Sequence, residues 1–175
     1  MIEGHVFIAT SMDGFIARKD GALDWLDVPG ADEDHGYDTF MADMDGLIMG
    51  RGTFETVLGF GDWPYEKPVV VMSRSLETVP SALDGKVRLV SQSPREVMNT
   101  LADEGWRRAY VDGGALITSF LEGGLITRMT ITRIPVLIGS GLPLFGTLPN
   151  DIALQHVATR SFASGLVQST YHVLP

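Results

Sequence analysis

The stretch from Asp45 to Thr53, Asp-Gly-Leu-Ile-Met-Gly-Arg-Gly-Thr, decides how this chain folds. Its apolar run at 46–49 predicts a short buried strand, and the glycines at 50 and 52 predict a turn into a helix at about 53–58. A helix N-terminus has unpaired N–H groups and a partial positive charge, so this junction suits a phosphate. Arg51 adds a cationic fork, and Thr53 adds a hydroxyl donor. The pattern is also typical of an ordinary strand–turn–helix junction, with Thr53 as the cap and Arg51 in solvent.

Two other predicted strands end in residues that suit a nucleotide. Residues 68–73 are apolar and lead into Ser73-Arg74-Ser75, and residues 108–112 lead into Gly113-Gly114. Ligands of open α/β sheets bind at the carboxyl ends of the strands. There Arg74 suits the 2′-phosphate of NADP, or it is a solvated loop arginine. The glycine pair would let a pyrophosphate approach the backbone closely.

The order of predicted elements indicates the fold class. Strands and helices alternate through most of the chain, with strands expected at 5–10, 46–49, 68–73, 87–90 and 108–112, and helices at 32–44, 53–58, 94–104 and 115–121. Late strands are expected at 125–138, 152–157 and 166–173, the last with the alternation of a one-sided antiparallel strand. We therefore expect one α/β domain over residues 1–175, with a mostly parallel sheet, helices on both faces and antiparallel C-terminal strands. No Gly-x-Gly-x-x-Gly run is present, which disfavours the standard dinucleotide-binding fold.

Composition narrows the classes of partner. The formal net charge of −9 repels nucleic acid and anionic lipid, so an anionic cofactor would need arginines gathered locally. The chain has no cysteine, which excludes disulfides, thiolate metal sites and a cysteine nucleophile. The His residues lack metal-ligand spacing, and we expect no metal site. No apolar run is long enough to span a bilayer, and the N-terminus does not read as a signal peptide, so we expect a cytoplasmic protein.

Three aspartates are candidates for contact with a substrate. Asp13 lies in an Asp-Gly turn whose flanks stay apolar, and it is either a turn-former or a ligand for substrate hydroxyls. Asp34 and Asp38 lie one turn apart in the predicted helix at 32–44, beside an apolar stripe. They either complement the helix dipole or deliver a proton from the edge of a pocket.

A series of short motifs, in order, resembles the reductase domain at the C-terminus of the bifunctional riboflavin-biosynthesis deaminase-reductases. The motifs cover nearly the whole chain and are Ser11-Met12-Asp13-Gly14-x-Ile16-Ala17, Met49-Gly50-Arg51-x-Thr53, Met72-Ser73-Arg74, Asp112-Gly113-Gly114 and Pro135-Val-Leu-Ile-Gly139-Ser-Gly141-x-Pro143-Leu-Phe145. That domain shares its fold with dihydrofolate reductase. The resemblance therefore implies a three-layer αβα architecture with a central eight-stranded sheet, NADPH as cofactor, and a homodimer. The aromatic loop at 59–67 is a plausible contact surface for such a dimer.

The resemblance also implies roles for individual residues. It puts Gly50, Arg51 and Thr53 on cofactor phosphates and Ser73 and Arg74 near the 2′-phosphate. Along the pyrophosphate it puts Gly113, Gly114, Ala115 and Leu116, and beside the nicotinamide it puts Ala9, Ile16 and Ala17. From its place in the Asp-Gly turn we expect Asp13 to contact substrate, and Trp25 is a further expected contact. By position, Asp34 or Asp38 is the nearest match to the acid on the first helix of dihydrofolate reductase.

The implied activity is NADPH-dependent reduction of a 5-amino-6-(5-phosphoribosylamino)uracil-like or related heterocyclic substrate. Two departures from the riboflavin family bear on it: Asp112 stands where a glutamate is usual, and Thr127-Arg128 stands where Asp-Glu is frequent. The alternatives are dihydrofolate reduction on a pterin, and an NADPH-binding sensor or scaffold without turnover.

Overall fold

The computed structural model describes residues 2–28 and 33–175. The strands are β1 (Glu3–Ser11), β2 (Phe15–Ala17), β3 (Gly46–Gly50), β4 (Val69–Met72), β5 (Val87–Val90), β6 (Arg108–Asp112), β7 (Ile126–Ile134), β8 (Leu142–Pro143), β9 (Leu154–Ser161) and β10 (Val167–Val173). The helices are α1 (Tyr37–Ala42), α2 (Arg51–Leu58), α3 (Pro94–Asp103) and α4 (Gly114–Glu122). Within the described ranges, no helix has the length and apolar character needed to cross a membrane.

Eight strands form one sheet in the order β5-β4-β3-β6-β1-β7-β10-β9. The first six are parallel to their neighbours, and β10 and β9 add in antiparallel fashion. The predicted mixed, mostly parallel sheet with antiparallel C-terminal strands is thus confirmed. Because β4, β3 and β6 are adjacent, their carboxyl ends lie side by side.

The helices cover both faces of the sheet. On one face, α3 and α4 bury Leu101 and Phe120 against Val6 of β1 and Val111 of β6. On the other face, Phe54 of α2 packs with alternate strand residues, among them Leu47, Met49 and Tyr110, and Phe40 of α1 packs at the margin of this cluster. This three-layer packing confirms the predicted αβα architecture.

The first helix is shorter than the sequence predicted. It was expected at 32–44, but α1 begins at Tyr37, because Gly36 adopts a left-handed conformation (φ 82°) that interrupts a helix. Asp34 therefore precedes the helix, and Asp32 lies outside the described residues. The apolar stripe that suggested the longer helix falls at Tyr37, Phe40, Met41 and Met44, so it needs no helix upstream of Tyr37.

The strand expected at 125–138 ends at Ile134, directly before Pro135, which cannot donate to a strand ladder. The following loop returns to the N-terminal part of the chain. There Leu142–Pro143 pairs with Phe15–Ala17 as a separate two-stranded ribbon, which the sequence did not predict. The Thr118 hydroxyl accepts a hydrogen bond from the Gly146 N–H (2.9 Å), which fastens this loop to α4.

The C-terminus of α1 is bound by a lysine from a distant loop. The Lys67 ammonium group donates to the carbonyl oxygens of Met41, Ala42 (3.0 Å for Ala42) and Met44. These carbonyls lie in the last turn of α1 and just beyond it, where a positive charge is favourable. Lys67 thus holds this six-residue helix on the sheet.

We expect Lys67→Met to lower the free energy of unfolding by about 1–2 kcal/mol, because the carbonyls lose a charged donor. Urea denaturation of the variant and the wild type measures this difference. Lys86→Met, at an exposed position before β5, is the matched control and should change stability by less than about 0.5 kcal/mol. Equal effects of the two substitutions would contradict a role for Lys67 in holding α1.

Candidate functional site

The carboxyl ends of β4, β3 and β6 meet through side-chain contacts. The Arg51 guanidinium, just after β3, donates to the Ser75 hydroxyl after β4 (2.9 Å). On the other side of β3, a side chain on Gly113 would begin 2.5 Å from the Thr53 hydroxyl oxygen. Gly113 also has φ +104°, so both its backbone and its surroundings require glycine. The three segments that the sequence singled out therefore form one continuous edge.

Two helix N-termini open onto this edge. Gly50 caps α2 and Gly113 caps α4, and neither helix has a side-chain hydrogen bond at its cap. The first N–H groups of both helices therefore have no side-chain cap, and the two partial positive charges lie next to each other. This arrangement can bind an anion with two phosphate groups without needing a specific side chain for each oxygen.

The side chains around the edge are exposed and only partly engaged. Arg51 also pairs with Glu55, one turn along α2 (3.1 Å), and both are about half exposed. The Ser73 hydroxyl accepts hydrogen bonds from the N–H groups of Ser75 (3.2 Å) and Leu76 (2.9 Å), which shapes the turn after β4. Arg74 projects from that turn, exposed, and it has no ion pair within the described residues.

The residues predicted to flank the nicotinamide lie on β1 and the ribbon. Ala9 is on β1 and packs with the cluster of Trp25, Ile134 and Leu166. Ile16 and Ala17 are on β2, and Ile16 contacts the core beneath α4. Ala115 and Leu116 are in the first turn of α4, the former exposed and the latter half-buried. These positions surround the same sheet edge, on the side of β6 and β1.

The two predicted substrate contacts are engaged with the protein. The Asp13 carboxylate accepts hydrogen bonds from the N–H groups of Ile138 (3.2 Å) and Gly139 (2.7 Å), which ties the loop after β1 to the loop after β7. Hydrogen bonding with Ser11 and with this backbone lowers the pKa of Asp13. Trp25 is 5% exposed, and its buried indole N–H has no acceptor among the described residues. Substrate contact by either residue stays a prediction.

Asp34 and Asp38 are both exposed and are not equivalent. The Asp34 carboxylate accepts from the Gly36 N–H (2.7 Å) in the turn before α1. It also lines a cleft of about 380 Å³ with Glu33 and the end of β9, where Arg160 lies over the Phe162 ring. Asp38 is in the first turn of α1. The two candidate proton carriers therefore lie on the solvent side of the helix region.

The sequence-based prediction missed a third acid, Asp112, at the carboxyl end of β6. It shares a face of the sheet with Tyr110 and lies beside Met49 of β3, so it points toward the α1–α2 side. Burial raises the pKa of Asp112 to about 6, and the Gly113 N–H and the nearby Tyr110 hydroxyl offset this only in part. Asp112 can therefore hold a proton near neutral pH, one residue before the glycine pair.

Three tyrosines lie around Asp112. Burial, followed by the charges of Asp112 and Asp38, raises the pKa of Tyr37 to about 12. Burial and then the Asp112 charge also raise the pKa of Tyr65 and Tyr110. Tyr110 donates its hydroxyl hydrogen to the Phe7 carbonyl (2.9 Å). The departure from the family glutamate was the only sequence signal for this cluster, because alternation along β6 does not reveal how far its last residue is buried.

The second departure from the family motifs, Thr127-Arg128 in place of Asp-Glu, lies at the other end of the sheet. Thr127 and Arg128 are at the amino end of β7, where Arg128 pairs with His5 in the sheet register. This is the edge of the sheet opposite to the glycine junctions. The replacement of acidic residues at these two positions therefore leaves the candidate site unaltered.

Comparison with known proteins identifies the family of this chain. A family model described as the RibD C-terminal domain matches residues 4–168. The uncharacterized protein YwjB of Bacillus subtilis (strain 168) is 35% identical over 164 residues, which cover 92% of each chain. A Shewanella sp. PV-4 crystal structure, named as a candidate riboflavin biosynthesis protein, is 42% identical with a TM-score of 0.94, covering 99% of this chain and 100% of that one.

A more distant structure shares the fold alone. Dihydrofolate reductase from Enterococcus faecalis, solved in complex with NADP(H) and RAB-propyl, is 17% identical with a TM-score of 0.71, covering 99% of this chain and 97% of that one. The expected dihydrofolate reductase-like fold is thereby confirmed. On its match over nearly the whole chain, this protein belongs to the RibD C-terminal domain family, the reductase-like family of riboflavin biosynthesis.

Proposed function

We propose that this protein is an NADPH-dependent oxidoreductase that reduces a heterocyclic substrate, in the manner of the riboflavin-biosynthesis reductases. The observation that carries the proposal is the convergence of β4, β3 and β6 with two neighbouring, uncapped helix N-termini and two exposed arginines. In a chain of net charge −9, this edge concentrates positive potential where the cofactor phosphates would bind.

The chain offers each part of such a cofactor a partner of suitable chemistry. The N–H groups at the starts of α2 and α4 would hold the pyrophosphate, with Thr53 and Arg51 beside them. Ser73 and Arg74 would hold the 2′-phosphate, for which a guanidinium is well suited. Bound NADPH supplies a hydride from its nicotinamide ring. The contribution of Ala9, Ile16, Ala17 and the ribbon is to hold that ring in place and exclude water.

Reduction of a C=N or C=O group also needs a proton. Asp112 is our preferred source, because its pKa of about 6 keeps part of the population protonated near neutral pH. Asp34 and Asp38 stay alternative proton carriers, since both lie on or near α1. The proposal therefore puts the substrate between the end of β6 and α1, the two elements on or next to which the candidate proton sources lie.

The activity is tested by following NADPH oxidation with an aminopyrimidine ribosyl phosphate, its riboside and dihydrofolate in parallel. Turnover of either aminopyrimidine supports the proposal, whereas turnover of dihydrofolate alone favours a pterin reductase. NADPH-induced thermal stabilisation without oxidation of NADPH would favour a sensor without turnover. No stabilisation by NADPH at all would overturn the proposal.

We also propose that the protein is a homodimer. Exposed apolar side chains lie on the edge strand β9 (Leu154 43%, Val157 42%) and on the aromatic loop (Phe60 61%). Such side chains favour burial against a partner, and β9 offers an unpaired strand edge. The dimer stays a prediction, and sedimentation equilibrium measures the mass that decides it.

Arg74→Ala should weaken NADPH binding at least about tenfold, or about 1.4 kcal/mol, because the 2′-phosphate loses its charged partner. NADH lacks that phosphate, so its affinity should change less than about twofold. Titration calorimetry with both nucleotides measures the two changes. Lys86→Ala, remote from the edge, is the control, and an equal loss for NADPH and NADH would contradict the assignment.

Asp112→Asn should stabilise the protein at pH 8 and leave it unchanged near pH 4. Because the pKa of Asp112 is higher in the folded than in the unfolded state, its contribution to the free energy of unfolding is complete below the unfolded pKa. That contribution is lost as the pH rises through about 6 and the buried carboxyl ionises. The shift of about two units corresponds to at most about 3 kcal/mol. Thermal unfolding from pH 4 to 8 tests this, with exposed Asp151→Asn as control. A pH-independent difference between wild type and Asp112→Asn would refute the raised pKa.

The proton source is tested by substituting the three acids separately. If Asp112 delivers the proton, Asp112→Asn lowers kcat at least about a hundredfold and removes the fall in rate above pH 6. In that case Asp34→Asn and Asp38→Asn keep the wild-type pH profile. A normal profile in Asp112→Asn, with loss in either of the others, would assign the role to the helix region instead.

A further inference from the structure

The exposed Asp13 carboxylate joins two loops that are far apart in the sequence. One oxygen accepts the Ile138 N–H (3.2 Å) and the other accepts the Gly139 N–H (2.7 Å), so each oxygen has a backbone donor. The same two loops are joined a further time by the Met12 N–H, which donates to the Val136 carbonyl (2.8 Å). Asp13 therefore fastens the loop after β1 to the loop after β7.

Ser11, at the end of β1, holds the Asp13 turn in shape. It is completely buried, and its hydroxyl oxygen accepts the Phe15 N–H (3.0 Å), while its carbonyl accepts the Gly14 N–H (3.0 Å). A hydrogen bond with Ser11 is also the largest cause of the lowered pKa of Asp13, so the carboxylate is ionised at neutral pH. The turn thus presents a charged acceptor to the second loop in a fixed position.

The two joined loops continue into the β2–β8 ribbon. The Leu144 N–H donates to the Gly14 carbonyl (3.0 Å), and a side chain on Gly141 would collide with the Ala17 carbonyl. The strands of the ribbon have three and two residues, and an isolated two-stranded ribbon of this length is not stable in water. The position of the ribbon therefore depends on the contacts at its ends, among them those of Asp13.

The ribbon rests on the first residue of α4. A side chain on Gly114 would begin 2.5 Å from the Pro143 carbonyl oxygen and 3.2 Å from the Ile16 side chain, so this close approach requires glycine. One turn along α4, the Thr118 hydroxyl donates to the Gly114 carbonyl (2.9 Å) and accepts the Gly146 N–H (2.9 Å). The segment that contains β8 is thus in contact with α4 at two points.

The position of α4 is set by the core and does not depend on the ribbon. Ile117 and Phe120 are fully buried and pack in the cluster between the helices and the sheet. The N–H groups expected to hold the pyrophosphate are at the start of α4, whereas Ile16 and Ala17, predicted to flank the nicotinamide, are on the ribbon. The loop contacts therefore set where one half of the proposed cofactor site lies relative to the other.

We propose that Asp13 is a positioning residue, which holds the β2–β8 ribbon on α4 and thereby aligns the nicotinamide part of the cofactor site with the pyrophosphate part. This inference rests on the proposed NADPH-dependent function. A loosely held ribbon would have to be ordered when the nicotinamide binds, and this ordering costs affinity. The Asp13 contacts order the ribbon beforehand. Asp13 thus acts on the cofactor through the ribbon, in contrast to the direct substrate contact that its sequence motif suggests.

Asp13→Asn tests this role, because the amide keeps the shape of the side chain but turns an N–H donor toward one of the two backbone N–H groups. Titration calorimetry measures the affinity for NADPH and for adenosine 2′,5′-bisphosphate, which lacks the nicotinamide half. NADPH should bind the variant at least fivefold more weakly, and affinity for the bisphosphate should change less than twofold. Asp20→Asn is the matched control, since the Asp20 carboxylate accepts the Ala22 N–H inside its own turn (3.0 Å), and it should change neither affinity.

The outcomes separate the inference from the function on which it rests. Unchanged affinity of Asp13→Asn for NADPH overturns the inference, and so does an equal loss for both ligands, which indicates a general structural effect. Either result leaves the proposed function standing. Binding of NADPH to the wild type is measured first, and its failure overturns the proposed function together with the inference.

Amide hydrogen exchange of the free protein provides a second readout. If Asp13 holds the ribbon, Asp13→Asn should speed exchange at least threefold at Leu144 and Gly146, which lie beyond its own contacts, as well as at Ile138 and Gly139. Faster exchange at Ile138 and Gly139 alone would show that Asp13 makes a local contact without holding the ribbon, and would overturn the inference.

Discussion

The contact between Gly113 and Thr53 is the constraint on which the site depends. It joins the ends of two adjacent parallel strands whose residues lie 60 positions apart in sequence, and it leaves no room for a side chain on Gly113. The two helices that follow therefore start next to each other, although they cover opposite faces of the sheet. Two neighbouring helix N-termini reinforce each other as an anion site in a protein of net charge −9.

One residue separates this electropositive edge from an acidic one. Asp112 is the last residue of β6, and its side chain turns toward α1, while the backbone continues into the glycine pair and α4. The end of β6 thus fixes the positions of two features: the anion site at the helix starts and the Asp112 carboxylate on the α1 side. The strand sets both their separation and their orientation, and Lys67 binds the C-terminus of α1, the helix that lies on the Asp112 side.

The parts of the fold that depend on local sequence could be predicted. The helix predicted at 94–104 forms as α3 (Pro94–Asp103), which starts at a capping box of Ser93 and Glu96, and β5 has the predicted bounds, because such signals act within a few residues. The ribbon could not be predicted, since β2 and β8 are more than 120 residues apart and neither is long enough for a periodic pattern. The predicted start of α1 was wrong because an apolar stripe indicates which face of a helix packs against the core, and it does not indicate the residue at which the helix begins.

The same distinction explains why the cofactor half of the site was easier to find than the substrate half. Phosphates are bound chiefly by backbone N–H groups at helix starts, and glycines mark such places in the sequence. A substrate is recognised by side chains whose chemistry depends on burial and neighbours, and Asp112 gains its raised pKa only from tertiary contacts. The backbone site can therefore persist across a family while the residues facing the substrate change, so likeness in fold constrains the cofactor more tightly than the molecule that is reduced.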